Sequence, residues 1–248
     1  VKGFPASNDP LELARATLYL PTRRAGLLAR KVFLDRIKGD AALLPRIVAL
    51  GDLDEDEIAF SESASAELAA ETLSLPPAIA PLERRLLLSQ IVAKWAVTTA
   101  TGQGSPLVAN TPAAAVALAD DLARLMDDMT TRQVGWSAFD KLVPDDLDEY
   151  WQRTLDFLKF VEPFWRGILD ERGAIEQAAR RDRLIEAEAK RLAGSDAPVI
   201  AAGSTGSMPA TAKLLATIAR LKHGAVVLPG LDTDLDDASW QTIAGNTD

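Results

Sequence analysis

The 248-residue chain contains no cysteine and a single histidine, His223. Without cysteine it has no disulfide, thiolate zinc site, iron–sulfur cluster or cysteine nucleophile. With one histidine it builds no two-histidine metal site. Long apolar runs are missing too: the stretches at 86–91 and 226–228 are soon broken by polar residues, far short of the roughly 18–20 residues that span a bilayer. The opening VKGFPASNDP lacks the basic and then apolar regions of a signal peptide. These absences predict a soluble cytoplasmic protein with no membrane partner. Positive charge is also short, with 27 Lys and Arg against 36 Asp and Glu and a net charge of −9. That balance argues against a free-standing nucleic-acid binder, because phosphate affinity comes mostly from Lys and Arg; a local basic groove stays open. The 48% apolar content is enough for a core, and the length suits one large domain or two small ones. The start inside a first element and the bare ending GNTD lead us to expect a segment of a longer chain.

Four short aliphatic runs read as strands: residues 17–21 (TLYLP), 46–50 (RIVAL), 198–202 (PVIAA) and 225–229 (AVVLP). None alternates, which predicts strands covered on both faces of a parallel sheet. Helices over 25–38 and 209–221 join them in pairs, giving the β–α order of a doubly wound α/β sheet. Between 50 and 198 no strand signal appears. Helices are predicted at 65–73, at 82–95 with a stripe of Leu82, Leu86, Ile91 and Trp95, at 113–129, at 146–172 with Trp151 on its apolar face, and at 174–192. Pro163 should kink or divide the fourth of these. The expected organisation is an α/β domain from residues 1–56 and 195–248, interrupted by an all-helical insertion at 57–194, with a loop at 98–112.

Two strand-to-helix turns carry residues suited to anions. In PTRRA, Thr22 reads as an N-cap, with Arg23 and Arg24 in the first helical turn. Two arginines at the positive end of a helix dipole suit a phosphate backbone; the plainer reading is a capped surface helix with solvated arginines. In Gly203-Ser204-Thr205-Gly206-Ser207, glycines and hydroxyls could line an anion nest. A phosphate loop, however, needs Gly-Lys-Ser/Thr, and here Ser207 precedes Met208 and Pro209. The plainer reading is a tight turn with Ser207 as N-cap and Pro209 in the first turn.

The remaining candidates are weaker. The acidic run Asp52, Asp54, Glu55, Asp56 and Glu57 could bind a hard cation or start a helix. Asp120/Asp121, Asp127/Asp128 and Asp145/Asp146 are neighbours on different helix faces and make poor acid–base pairs. The five tryptophans read as core rather than as base-stacking platforms. His223 reads as a helix C-terminal residue beside a C′ glycine, with no serine placed for a triad.

The order strand–PTRRA–helix, strand, helical insertion, strand–GSTGS–helix, strand–LPGLD resembles the first motor domain of superfamily-one helicases. More closely, it is similar to the N-terminal part of the AddB family of bacterial AddAB helicase–nuclease subunits, alphaproteobacterial in type. The likeness rests on DPLELARATLYLPTRRA, LLPRIVALGDLDED, LPPAIAPLERRLLL, YWQRTLDFLKFV, VIAAGSTGSMPATAKLLATIARL and GAVVLPGLDTDLDDASW, which cover most of the chain. The resemblance implies a P-loop-NTPase or helicase-like sheet with degenerate nucleotide and Mg²⁺ motifs. Gly203 and Ser204 stand where active motors carry an Asp-Glu pair. Leu228-Pro229-Gly230-Leu231-Asp232 replaces the next motif and lacks its glutamine, so Gly230 and Asp232 are all that remain of it. The phosphate-binding loop would precede Val1 or be absent.

The resemblance further implies a subunit of double-strand break repair and recombination that pairs with an AddA-type motor on DNA ends. In the parent proteins, ATP and Mg²⁺ act in the partner motor, and an iron–sulfur cluster sits in a C-terminal nuclease domain outside this chain. This segment is then expected to hold no cofactor and catalyse nothing. Thr22, Arg23 and Arg24 match the loop that touches single-stranded DNA. Two alternatives remain: a small α/β enzyme using GSTGS as an anion loop for a nucleotide or phosphate ester, and a scaffold whose acidic helices bind a basic partner.

Overall fold

The computed structural model describes residues 10–36, 43–51, 53, 58, 65–100, 111–141, 149–230 and 233–244. Two compact units emerge. One comprises Val1–Asp52, Ser195–Gly206 and Leu215–Asp248, and the other Leu53–Gly194 and Ser207–Leu214. Among the described residues, no helix is long and apolar enough to cross a membrane.

The first unit is α/β. After the short helix α1 (Pro10–Arg15) come β1 (Thr17–Leu20), α2 (Arg23–Arg36) and β2 (Arg46–Ala49). The chain returns to this unit for β3 (Val199–Ala202). The four strands form one all-parallel sheet in the order β2-β1-β3-β4, where β4 is Gly224–Val227. Register aligns Tyr19 with Val48 on one side and Ala201 on the other. These three side chains form a buried row. The next row, Ile47, Leu18 and Ile200, is only half-buried, so the sheet is not covered equally on both faces as its unalternating sequence predicts. The reason lies in α2, which packs on β1 and β2. A Cβ on Gly26 would lie 3.4 Å from Ile47 Cγ2; α2 therefore approaches the sheet closely, but only Ala25, Gly26, Ala29 and Phe33 are even half-buried on it.

The link to β4 is α8 (Pro209–Arg220), and α9 (Asp237–Ala244) follows β4. Gly224 is not the left-handed cap that His223-Gly224 suggests. It is the first residue of β4, and its Cβ would fall 1.8 Å from the carbonyl oxygen of Ile218. A close backbone approach, rather than a positive φ, requires glycine here.

The second unit is helical: α3 (Ala66–Leu73), α4 (Pro81–Ala100), α5 (Pro112–Thr131), a 3-10 turn at Trp136–Lys141, α6 (Glu149–Arg172) and α7 (Gln177–Leu192). Ser65 and Thr111 cap α3 and α5 through their hydroxyls, which accept from Leu68 N and Ala114 N. The core interleaves Leu88, Ile91 and Val92 of α4, Ala115, Ala119, Leu122 and Met126 of α5, and Phe157, Leu158, Val161 and Trp165 of α6. The two alanines let α4 and α5 pack tightly, and Trp95 stacks obliquely on Phe157 and Phe160 at 5.8 and 5.1 Å.

Three expectations change. Leu82 and Leu86 are exposed, because the buried face of α4 runs through Leu88, Ile91, Val92 and Ala96 instead. Trp151 lies exposed near the start of α6. Of the kink or division expected at Pro163, division does not occur: α6 runs unbroken from Glu149 to Arg172, with Val161 and Trp165 in the core on either side of the proline.

Candidate nucleic-acid interface

In the order β2-β1-β3-β4 the chain leaves β1 first toward β2 and later resumes on the opposite side with β3. The carboxyl ends of β1 and β3 therefore flank the point where the winding reverses, the place where open parallel sheets bind ligands. The two turns singled out in the sequence, Pro21–Arg24 and Gly203–Gly206, sit at those ends.

The structure brings the turns together. A Cβ on Gly203 would lie 3.5 Å from Pro21 Cδ. Gly203 N donates to Val227 O at 2.9 Å, which draws the end of β4, and Leu228–Gly230 beyond it, to the same rim. Gly203, Gly206 and Gly230 have φ of 82°, 66° and 73°, a left-handed conformation that favours glycine. Ser204 Oγ accepts from Gly206 N at 3.4 Å, so the turn partly closes on itself. Gly203, Thr205, Ser207 and Gly230 are exposed; Ser204 and Gly206 are half-buried.

Thr22 acts as an N-cap: its Oγ1 accepts from Ala25 N at 3.2 Å, and its carbonyl accepts from Gly26 N at 3.1 Å. Arg23 and Arg24 follow at once, both exposed, and the first turn of α2 holds no acidic residue. The positive end of the helix dipole and two guanidinium groups thus lie together at the end of β1. At β3 the cap differs from expectation. Helix α8 begins at Pro209, and Met208 O accepts the first helical bond from Ala212 N at 2.8 Å, which puts Met208 rather than Ser207 at the N-cap position. Proline starts the helix because it needs no N–H there. Lys213 lies with its Nζ 3.7 Å from Glu186 Oε1.

Asp232 and the acidic residues Asp52, Asp54, Glu55, Asp56 and Glu57 lie outside the described residues, as do Asp145 and Asp146. Among the described residues there is no group of three or more acidic or histidine side chains able to hold a metal. Of the other acidic neighbours, Asp120 pairs with Arg85, Asp121 with Arg124 and Asp127 with Arg84. The Arg85 hydrogen bond holds the Asp120 carboxyl below the ordinary range.

Sequence reasoning missed a buried ionic centre in the helical unit. Arg84 donates through Nη1 to Asp127 Oδ2 at 3.0 Å and through Nη2 to the carbonyl of Ala123 at 3.2 Å. Its Nε lies 2.8 Å from Glu176 Oε2, an ionic contact rather than an aligned hydrogen bond. A second pair, Glu188 with Arg191 on α7, is buried and bidentate at 2.6 and 2.8 Å. The spacing of Glu188 and Arg191, one helical turn, is the only trace of either centre in the sequence.

Neither protein-family models nor curated protein sequences match this chain.

Proposed function

We propose that this chain is a helicase-like module that guides a single DNA strand across the carboxyl ends of its parallel strands and hydrolyses no ATP. The observation that carries the reading is the placement of Thr22, Arg23 and Arg24 at the start of α2, against the Gly203 turn. Helix N-terminal amides and arginines bind phosphate oxygens without regard to sequence, as a strand guide requires. The resemblance to AddB supplies the setting: a subunit of a double-strand break repair helicase–nuclease, paired with an AddA-type motor that supplies ATP and Mg²⁺ chemistry. Phosphoryl transfer depends on positioned charge and Mg²⁺, and Gly203 and Ser204 offer no carboxylate where a motor of this type carries two.

The purified chain, mixed with ATP, Mg²⁺ and oligothymidylate, is expected to release no phosphate while binding the oligonucleotide at low salt. Phosphate release that disappears in Ser204→Ala would overturn the reading. The positive φ of Gly203 and Gly206 favours a second reading, a small-anion loop for a nucleotide or phosphate ester. It would be favoured if ADP or inorganic phosphate raised the unfolding temperature and oligothymidylate did not.

A further inference from the structure

Surface helices of soluble domains bury apolar residues and show polar ones to water. Helix α2 departs from that rule. None of its residues is buried, and Leu27, Leu28 and Leu34 are 65%, 63% and 56% exposed, with Val32 at 50%. Helical spacing puts Leu27 and Leu34 in one strip and Leu28 and Val32 in another, with Arg24 and Lys31 between them. The helix carries Arg23, Arg24, Arg30, Lys31 and Arg36 against Asp35 alone, on a chain whose net charge is −9. Beneath it the row Leu18, Ile47 and Ile200 is only half-buried. An outer face that is at once apolar and basic is made neither for water nor for phosphate alone.

We infer that the outer face of α2 docks an acidic amphipathic helix of a partner protein. Leucines on that helix cover Leu27, Leu28, Val32 and Leu34, while its carboxylates reach Arg30 and Lys31. Helix-on-helix packing of this kind seats apolar rows in one another's grooves and leaves charge at the flanks. DNA fits this face less well, because phosphates gain nothing from exposed leucine and no exposed aromatic ring is present on α2 to stack a base. The inference stands on exposure and charge alone and is independent of strand guiding.

The test uses the full chain and a fluorescent synthetic helix of about 20 residues, leucine on one face and glutamate on the other, a length at which helicity is attainable. Two variants are compared with the unaltered protein: Leu27→Gln/Leu28→Gln/Leu34→Gln, and Arg30→Glu/Lys31→Glu. Both keep the native circular dichroism, since every altered side chain is exposed. Each is expected to weaken the peptide roughly tenfold or more, about 1.4 kcal/mol or above, and added salt weakens the remaining affinity. A matching leucine–lysine peptide, attracted to the acidic remainder of the chain, is expected to ignore both variants. Four results would overturn the inference. They are no binding of the glutamate peptide, equal binding by the glutamine variant, loss of oligothymidylate binding in that variant while the peptide is kept, and self-association that the glutamine variant abolishes, which would make a second copy the occupant.

Discussion

Trp165 and Glu176 are tied by a hydrogen bond in which the indole Nε1–H donates to Oε1 at 2.7 Å. Glu176 occupies the N-cap position of α7 yet makes no side-chain cap bond, because its carboxylate turns inward to Trp165 and Arg84. Just before it, Ile175 N donates to Pro77 O and Ile79 N donates to Ile175 O. The segments leading into α4 and α7 are thereby fixed side by side, with the carboxylate between α4, α5 and α6.

Burial pushes the Glu176 carboxyl above its usual range, with Arg84 and the Trp165 N–H acting against that rise. A carboxyl with a raised folded pKa holds its proton more tightly in the folded state. Stability then falls as pH rises from the ordinary glutamate value, about 4.3, through the raised one, and is level beyond it. Burial acts the same way on Asp182, so Glu176→Gln is needed to isolate one group. Across that window, urea unfolding is expected to show the unaltered chain losing stability relative to Glu176→Gln as pH increases. A relative gain would mean that the attraction of Arg84 outweighs burial.

Arg84→Ala strands two carboxylates at once. Breaking a buried ion pair by removing one member costs about 3–5 kcal/mol, and the half-exposed Asp127 places this case toward the lower end. Arg84→Ala/Glu176→Gln is expected to recover part of the loss, because the more buried of the two stranded carboxylates is then replaced by a neutral amide. A double variant whose cost equals the sum of the singles in denaturant unfolding would show that the two groups do not interact.

Much of the α/β arrangement can be read directly from the residues. Short aliphatic runs bounded by turn chemistry lead to the four parallel strands, and Pro209 and Thr22 lead to the starts of α8 and α2. What the sequence hides is what tertiary contact decides. The stripe of Leu82 and Leu86 has the right period, but Leu88 and Val92 take the core, in one cluster with Ala115 and Ala119. Nothing around Glu176 distinguishes it from a capping residue until Trp165, eleven positions earlier, is brought beside it. The adjacency of the Pro21 and Gly203 turns depends on strand order, which no local pattern encodes.

Gly224 offers a sharper check on packing than the positive-φ glycines. An alanine methyl there would meet Ile218 O at 1.8 Å and Leu221 Cβ at 2.9 Å. Backbone cannot swing aside as a flexible side chain can, so α8 and β4 must separate. Overpacking of this kind costs about 1–3 kcal/mol, occasionally more. Gly224→Ala should lie at or above the upper figure, while Gly194→Ala, whose added methyl meets nothing within 4 Å, should be nearly neutral. Equal urea midpoints for the two variants would contradict the α8–β4 geometry.

The arginines after Thr22 give the strand-guiding proposal its quantitative test. Each phosphate contact on a single strand contributes about 0.7 to the slope of log affinity against log salt. Arg23→Ala/Arg24→Ala should therefore lower the slope for oligothymidylate by roughly 1.4 if both guanidinium groups meet phosphates. Arg23→Lys/Arg24→Lys keeps the charge and should keep the slope, although forked hydrogen bonding is lost. The Thr22 cap is retained in every variant, so α2 still starts where it does, and weaker binding is not a consequence of fraying. A slope that stays the same in the alanine variant would remove both arginines from the path of the strand.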